Sequence, residues 1–336
     1  MGVNIGFQGV FSRVRKEKAK KQFLLSVSHP YPHPEEGLIV VNPVTHRQYR
    51  ILADHMAVYQ FMTEVYQQDW RGGVAAPFLE YALSSSWMDK SYTHRFRIWE
   101  QDGRIVALVF YENPVADTYF SLRPGYEFLA PEMIDYALTS MPHRDNEAHL
   151  VLFESQQALI QAAEAAGFYK TGGYVSNNYQ YDKPLDYPLP PGFRFVEPGK
   201  LEVAKAMLCC WKGFDHETTD GPWDGDIEPG LHLEQAPHYT GQYAVAVENE
   251  AGEYVCYAGL WWVPENKLAY MEPLCTVPEY RHMGLASAAL SEIYRRTQPL
   301  GATHMTGGGN EFYTRIGFVP TIPFAFWTKD LRQPKD

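Results

Sequence analysis

The sequence predicts an α/β protein, with a mixed α+β sheet, in which two tandem domains each form a mixed, mostly antiparallel sheet flanked by helices. Runs rich in aromatic and β-branched residues, typical of strands, alternate with segments whose apolar residues recur at helical spacing. Near the middle, DKPLDYPLPPG (182–192) holds four prolines in eleven residues, and proline continues neither a helix nor an inner strand. Sequence patterns on the two sides of this segment match in order, so we expect a linker between two related halves.

Three pairs of matching segments, at a nearly constant offset, define the internal repeat. They are DGRIVALVFY (102–111) with AGEYVCYAGLWW (251–262), LRPGYEFLAPEMIDYAL (122–138) with TVPEYRHMGLASAALSEIY (276–294), and AEAAGFYKTG (163–172) with YTRIGFVPT (313–321). Ordered matches of this kind indicate a duplicated domain. The predicted organisation is a peripheral extension at 1–40, a first copy at 41–182, a linker at 183–191 and a second copy at 192–336.

Periodicity and turn residues predict the elements of the second copy. Leu201, Ala204 and Leu208 have helical spacing, and Arg295 and Arg296 fall in the last turn of a later helix, where cations suit the negative end of the dipole. The glycines at 307–309 lack the Lys-Ser/Thr of a P-loop, so we expect a flexible turn there. The predicted strands are 192–198, 242–248, 254–263, 267–277, 302–306 and 318–329, and the predicted helices are 201–211, 284–297 and 311–316.

Composition argues against several classes of function. The chain has 29 Lys and Arg against 40 Asp and Glu, a net charge of −11, which does not suit the phosphate backbone of a nucleic acid. No stretch approaches the roughly 18 apolar residues of a membrane span. We therefore expect neither a nucleic acid nor a membrane as a partner. The four cysteines lack CxxC spacing and the twelve histidines lack ligand spacing, so we expect no metal and a reducing, cytoplasmic location.

The segment PEYRHMGLAS (278–287) is the most informative motif. A strand that enters an Arg-x-x-Gly-x-Ala turn before a helix leaves backbone N–H groups without partners at the helix start. Gly284 lets a ligand approach the backbone, and Arg281 adds a cation. From these residues alone, a cradle for a diphosphate and an ordinary loop-to-helix junction remain open.

The second copy resembles the GNAT superfamily of acyl-CoA-dependent N-acetyltransferases. The resemblance is carried by TVPEYRHMGLA (276–286) and, about thirty residues later, by Tyr313, Gly317 and Phe318 of the pattern Tyr-x-x-x-Gly-Phe. It implies a GNAT fold for 192–329 and, in outline, for 41–182, as in bacterial tandem-GNAT proteins. The implied activity is transfer of an acetyl group from acetyl-CoA, as cosubstrate, to a primary amine of a small molecule.

The first copy departs from the family pattern where phosphate would bind. In the repeat alignment Glu127 corresponds to Arg281, Ala130 to Gly284 and Pro131 to Leu285, so a carboxylate replaces the cation and a proline removes a donor. Ala163 stands in the place of Tyr313. The first copy is therefore expected to be degenerate and not to hold CoA.

By resemblance, each step of the reaction has candidate residues in the second copy. Glu272 is the expected base, although an exposed strand glutamate remains an alternative, and Tyr313 is the expected acid, with a core tyrosine as the alternative. Cys275 is expected to be a small strand residue rather than a nucleophile. The expected cofactor-binding residues are Leu274, Cys275 and Thr276, whose backbone would pair with the pantetheine arm, and Arg281, His282, Met283, Gly284, Leu285 and Ala286, which would hold the diphosphate.

The acceptor is expected to bind beside the segment WKGFDHETTDGPWDGD (211–226), which corresponds to the variable acceptor wall of GNAT proteins. The candidate substrate residues are Trp211, Phe214, Asp215, His216 and Glu217. Residues 213–266 contain 11 acids and no Lys or Arg, so a cationic amine is expected if this surface lines the cleft. A solvated acidic loop is the alternative.

Two other functions remain open from the sequence. A catalytically silent GNAT-fold protein would use the same pocket to bind a ligand or CoA, and an enzyme like mycothiol synthase would form an amide in thiol biosynthesis. Retention of Arg281, Gly284 and Tyr313 together favours the acetyltransferase. The identity of the amine, the acyl-chain preference and the oligomeric state are not specified by any sequence pattern.

Overall fold

The structure of the protein, a computed structural model, describes residues 42–332. The extension predicted at 1–40 lies outside the described residues. Within the described range strands and helices alternate, and all of these strands join one mixed sheet.

The first copy contributes six strands and four helices. The run RIVALVFY (104–111) is buried along almost its whole length and forms an inner strand, whereas DTYFSL (117–122) and EAHLVLF (147–153) begin with alternating half-buried and buried residues. The elements are β1 (Thr45–Gln48), α1 (Ile51–Val65), α2 (Ala76–Ser84), β2 (Arg97–Gln101), β3 (Arg104–Tyr111), β4 (Asp117–Leu122), α3 (Ala130–Ser140), β5 (Glu147–Phe153), α4 (Gln157–Ala165) and β6 (Tyr169–Gln180).

The second copy repeats this pattern with six strands and five helices. Its elements are β7 (Phe193–Phe195), α5 (Val203–Gly213), α6 (His216–Thr219), α7 (Glu228–Glu234), β8 (Val245–Asn249), β9 (Tyr254–Val263), β10 (Leu268–Thr276), α8 (Leu285–Thr297), β11 (His304–Gly307), α9 (Glu311–Arg315) and β12 (Val319–Asp330). All six predicted strands and three predicted helices are confirmed. The strand predicted at 242 begins only at Val245, because a 3₁₀ turn occupies 241–243. The short helices α6 and α7 were not predicted.

The order of the strands in the sheet shows that the two copies are related by a pseudo-twofold axis. The order is β1-β2-β3-β4-β5-β12-β6-β11-β10-β9-β8-β7, and exchanging the first six strands with the last six gives the same order reversed. In each copy the fourth and fifth strands, β4 with β5 and β10 with β11, form the one parallel pair. The duplication inferred from the sequence is therefore a duplication of fold.

The two copies exchange their last strands. Strand β12 pairs with β5 of the first copy and with β6, and β6 pairs with β11 of the second copy. The sheet of each copy is thus completed by a strand from the other. This exchange places β6 next to the turn after β11, where part of the candidate site lies.

Candidate active site

The site forms where β10 and β11 separate. The two strands pair only at Leu268 and Ala269, opposite His304 and Met305. One step further, the hydroxyl of Thr306 accepts the N–H of Met271 at 2.9 Å. Beyond this point only β9 pairs with β10, so the other edge of its last residues is free for a ligand to pair with.

A bulge in β10 presents the candidate base. The pairing with β9 shifts between Met271 and Leu274, which leaves Glu272 and Pro273 outside the regular ladder. Pro273 has no N–H to donate. The facing residue is Gly259, where a Cβ would lie 2.3 Å from the carbonyl oxygen of Glu272. Only glycine fits at this position, and an isolated glycine within a predicted strand was the available but unused signal.

A cavity of about 520 Å³ lies against the free end of β10 and the start of α8. Eight of the nine residues predicted to bind the cofactor line it; Met283 does not, and its side chain is 46% exposed. Tyr313 lines the same cavity. The lining residues are Gly213, Leu274, Cys275, Thr276, Tyr280, Arg281, His282, Gly284, Leu285, Ala286, Ser287, Asn310, Phe312 and Tyr313.

The turn before α8 exposes a run of backbone donors. His282 and Gly284 both adopt the left-handed region, with φ of 63° and 87°, which suits glycine and strains other residues. Within the described part of the chain, no acceptor bonds to the N–H groups of residues 282–287. Such donors at the start of a 13-residue helix form a site for an anion. The turn is therefore suited to bind an anionic group such as a diphosphate.

Arg281 fixes the wall of this cavity as well as supplying charge. Its Nε donates to the carbonyl of Thr276 at 3.1 Å, and its Nη2 donates to the carbonyl of Gly213 at 2.9 Å. The same Nη2 pairs with both carboxylate oxygens of Asp215 at 2.9 Å. The side chain therefore ties the end of α5 to β10, and Asp215 offsets part of its charge.

Burial and one hydrogen bond have opposite effects on the pKa of the Glu272 carboxyl group. Tyr270 donates its hydroxyl to Oε2 of Glu272 at 2.5 Å. Burial raises the pKa of Glu272 above its usual range, while the hydrogen bond from Tyr270 opposes this shift by stabilising the carboxylate. The side chain lines the acceptor cavity described below. A buried carboxylate with one hydrogen-bond donor is suited to take up a proton.

Tyr313 lies in α9, and its hydroxyl stays protonated. The side chain of Asn310 caps this helix by accepting the N–H of Phe312. Burial raises the pKa of Tyr313 to about 12, and the charge of Glu272 contributes to the shift. The two candidate catalytic groups, 41 residues apart in the numbering, are therefore close enough to interact electrostatically.

The glycines at 307–309 hold Tyr313 in place. A Cβ at Gly308 would lie 2.9 Å from the ring of Tyr313. The carbonyl of Gly308 accepts from the side-chain amide of Asn177 at 2.6 Å, and the N–H of Gly309 donates to the hydroxyl of Tyr174 at 2.9 Å. Asn177 and Tyr174 belong to β6. The predicted strand-to-helix turn is present between β11 and α9, and side chains of the exchanged strand of the first copy bond to two of its glycines.

A second cavity, of about 540 Å³, lies on the other side of the bulge and is lined by both copies. Glu272 and Pro273 line it, and the next residues of β10 line the first cavity, so the two cavities lie next to each other along β10. The lining residues are Tyr81, Ser85, Ser86, Trp87, Leu201, Val203, Ala206, Met207, Cys210, Trp211, Phe214, His216, Pro229, Gly230, Leu233, Glu234, Tyr239, Gly241, Ala244, Tyr257, Gly259, Leu260, Trp261, Glu272 and Pro273.

The predicted substrate residues divide between this cavity and its surroundings. Trp211, Phe214 and His216 line it, whereas Asp215 pairs with Arg281 and Glu217 lies outside it. Of the 11 acids of residues 213–266, Glu234 alone contributes to the lining. The acids of this segment therefore stay almost entirely outside the cavity, whose lining is largely aromatic. The contribution from Tyr81 to Trp87 was not predicted, because residues 185 or more positions from Glu272 in the first copy carry no local signal for it.

Two further properties concern the described residues alone. No group of three or more His, Cys, Asp or Glu side chains within 42–332 is arranged to hold a metal ion. Across the same range, no helix combines the length and the apolar character needed to cross a membrane.

Comparison with known proteins agrees with the fold and the site. Residues 208–318 match the family model described as the acetyltransferase (GNAT) family. No curated protein matches the chain. Among solved structures, a tandem GNAT protein from the clavulanic acid biosynthesis pathway is 12% identical with a TM-score of 0.56, covering 88% of this chain and 100% of that one. A GCN5-related N-acetyltransferase from Sphaerobacter thermophilus is 15% identical with a TM-score of 0.52, covering 87% and 97%.

The fold and the site together define an acyltransferase. Identities this low show a shared fold, while the family match falls on the part of the chain that holds the cavity and the candidate base and acid. Residues 208–318 match the GNAT acetyltransferase family, and the chain has the fold of tandem GNAT proteins.

Proposed function

We propose that the second copy transfers an acetyl group from acetyl-CoA to the primary amine of a small molecule. One observation carries the proposal: consecutive residues of β10 line two neighbouring cavities, and Glu272 lines one while Tyr313 lines the other. A thioester and an amine that enter from opposite sides would meet between a proton acceptor and a proton donor.

The backbone supplies the binding of acetyl-CoA in this proposal. The free edge of Leu274, Cys275 and Thr276 pairs with the amides of the pantetheine arm as an added strand does. The unpartnered N–H groups of 282–287 bind the diphosphate, with help from Arg281. Cys275 is 5% exposed and contributes its backbone to this strand.

The chemistry requires two proton transfers. A neutral amine attacks the thioester carbon, and its nitrogen then carries one proton more than the amide keeps; Glu272 takes this proton, directly or through water. A C–N bond forms as the C–S bond breaks, and the departing thiolate takes the proton of the Tyr313 hydroxyl. Exchange with water returns a proton to Tyr313 and removes one from Glu272, so that overall one proton passes from nitrogen to sulfur. Because the pKa of Tyr313 is raised to about 12, this residue carries its proton throughout the neutral range.

The first copy, in the same proposal, is a scaffold that does not bind CoA. The cavity that corresponds to the CoA cavity has about 290 Å³, and Glu127 and Pro124 are among its lining residues. The proposed boundaries remain 41–182 for this copy, 183–191 for the linker and 192–336 for the catalytic copy.

The test is thiol release from acetyl-CoA across a panel of primary amines, with Tyr313→Phe as the diagnostic variant. Loss of a general acid lowers kcat by roughly 10²–10⁴-fold, while affinity for CoA, measured by calorimetry, stays unchanged. Tyr294→Phe is the matched control, because this tyrosine lies in α8 and lines neither cavity. Wild-type turnover by Tyr313→Phe would contradict the assigned acid, and no turnover with any amine would contradict the proposed function.

A further inference from the structure

Aromatic side chains from both copies form a continuous wall in the acceptor cavity. Trp87 contacts Tyr81 with ring centroids 5.8 Å apart, and Tyr81 meets Trp261 edge-on at 6.3 Å. Trp261 in turn meets Tyr239 edge-on at 5.8 Å. All four residues line the cavity. The first two belong to the first copy and the last two to the second, so the wall exists only because the copies pack together.

Another aromatic pair in the same cavity has a fixed orientation. Trp211 stacks on His216 with ring centroids 4.9 Å apart and an angle of 29° between the planes. The indole N–H of Trp211 donates to the carbonyl of Gly221 at 2.9 Å. This bond satisfies the polar atom of the ring and leaves its faces for apolar contact.

The charges in the cavity are few. Its lining contains two carboxylates, Glu272 and Glu234, and neither Lys nor Arg. Glu234 is exposed, whereas Glu272 lies buried beside Tyr270. A polyamine would bring several charges into an aromatic cavity with too few partners, at a large desolvation cost. A single amino group placed at Glu272 pairs with the carboxylate there, and the rest of the ligand then contacts aromatic faces.

We propose that the acceptor is a primary amine carried on an apolar, aromatic body, bound between the two copies, and that Trp87 of the first copy determines this specificity. The inference rests on the proposed function, because Glu272 marks where the amine must lie. A long acyl chain is the other apolar ligand that this volume admits. It would set methylene groups against the buried carboxyl group of Glu272, which is unfavourable.

The first experiment measures kcat/KM with acetyl-CoA for 2-phenylethylamine and tryptamine against putrescine, spermidine and glucosamine. We expect the two aromatic amines to exceed the others. Trp87 is 44% exposed, so its ring is open to a ligand. Trp87→Ala should lower kcat/KM for the aromatic amines by about tenfold, mostly through KM, because it removes the aromatic surface that the bound amine would cover. Trp87→Phe should restore most of this loss.

Phe128→Ala is the matched control. Phe128 is an exposed aromatic residue of the first copy, 66% exposed, that lines neither cavity, and its replacement should leave both values unchanged. Thermal midpoints and CoA affinity, measured for all of the variants, separate loss of folding from loss of the contact.

Three results would overturn the inference, and they differ from a failure of the proposed function. A polyamine or glucosamine as the best substrate would overturn it while acetyl transfer stands. A preference for octanoyl-CoA over acetyl-CoA that Trp87→Ala abolishes would assign the cavity to the acyl chain. If no amine is acetylated, the proposed function fails. The inference is then tested separately by calorimetry of tryptamine binding to the CoA-bound protein. It is overturned if tryptamine does not bind, or if it binds equally well to Trp87→Ala.

Discussion

The two copies share a strand order but differ at the position where the reaction would take place. In the second copy, Gly259 of β9 faces the bulge that presents Glu272. The repeat alignment places Phe110 of β3 at the position of Gly259, and Phe110 pairs in register with Tyr119 of β4. These two rings stack with centroids 5.7 Å apart. Two packed aromatic rings thus fill, in the first copy, the place that the bulge and its carboxylate take in the second.

The strand edge that would bind pantetheine is likewise satisfied within the first copy. There the N–H of Leu122 donates to the carbonyl of Gly72 at 2.9 Å, and the side chain of Gln156 donates to the carbonyl of Phe120 at 3.2 Å. Phe120 and Leu122 correspond to Leu274 and Thr276, which line an open cavity in the second copy. In the first copy, hydrogen bonds within the protein thus occupy the strand edge that pantetheine is proposed to pair with in the second copy.

The turns before α3 and α8 differ in the same sense. In the first copy, the carboxylate of Glu127 accepts the N–H of Gly125 at 3.1 Å, and Pro131 offers no N–H. The second copy has free donors at this turn. In the second copy, the backbone donors and the strand edge stay exposed. In the first copy, the corresponding positions are filled by packed side chains and internal hydrogen bonds, and this copy contributes β6 and part of the aromatic wall.

The largest expected effect comes from removing the carboxylate that the first copy lacks. Glu272→Gln should lower kcat by roughly 100-fold or more. A base acts only when deprotonated, and burial raises the pKa of Glu272, so the wild-type rate should fall as pH drops through this raised value. The variant should lose that acidic limb and recover partly at high pH, where more of the amine is neutral. Steady-state pH profiles measure both.

Glu112→Gln is the matched control for this prediction. Burial raises the pKa of Glu112 of the first copy to about 8, with the charge of Glu272 contributing. At acidic pH, well below this value, Glu112 is mostly neutral, and a neutral amide in its place should leave the acidic limb unchanged. A loss of rate in Glu272→Gln that does not vary with pH would indicate positioning rather than base catalysis.

A smaller effect is expected from exchanging the charges at the two turns. Arg281→Glu removes the hydrogen bonds to Thr276 and Gly213 and places a negative charge beside the diphosphate, so CoA should bind about tenfold or more weakly. Glu127→Arg should not create a second site, because Pro131 and the hydrogen bonds of Gly72 and Gln156 remain. Calorimetry should find one CoA per chain in the wild type and in Glu127→Arg. A second equivalent of CoA would contradict the comparison.

The smallest effect is expected at Asp215, which forms an ion pair with Arg281, the residue proposed to contact the diphosphate of CoA. Asp215→Asn removes the exposed ion pair and frees the guanidinium, so CoA should bind about two- to fivefold more tightly at low salt, with the gain shrinking as salt screens it. Titrations at two ionic strengths measure the difference. Glu217→Gln is the control, since this acid of the same segment has no contact with Arg281. Equal affinity of Asp215→Asn and wild type at low salt would show that Asp215 does not compete for Arg281.

Local patterns were enough for most of the elements and for the turn that lines the first cavity. The glycine that adopts positive φ, the helix that starts after it and the strand before it lie within about 20 residues of one another, so their geometry follows from local backbone rules. The repeat and the proline-rich linker likewise predicted the tandem fold. The aromatic lining of the second cavity could not be predicted, because acid content along the chain does not say which side chains face a cavity.

The sequence by itself determined the order of elements, the duplication and the turn that exposes backbone donors, since each depends on neighbouring residues. Tertiary structure decided the exchange of β6 and β12, the anchoring of Tyr313 through Asn177, the clearance that Gly259 gives Glu272, and the aromatic wall that begins at Trp87. These features depend on contacts between residues far apart in the chain. Such contacts form only when the strands pair in the folded sheet, and strand pairing depends on the packing of the whole sheet rather than on local propensity.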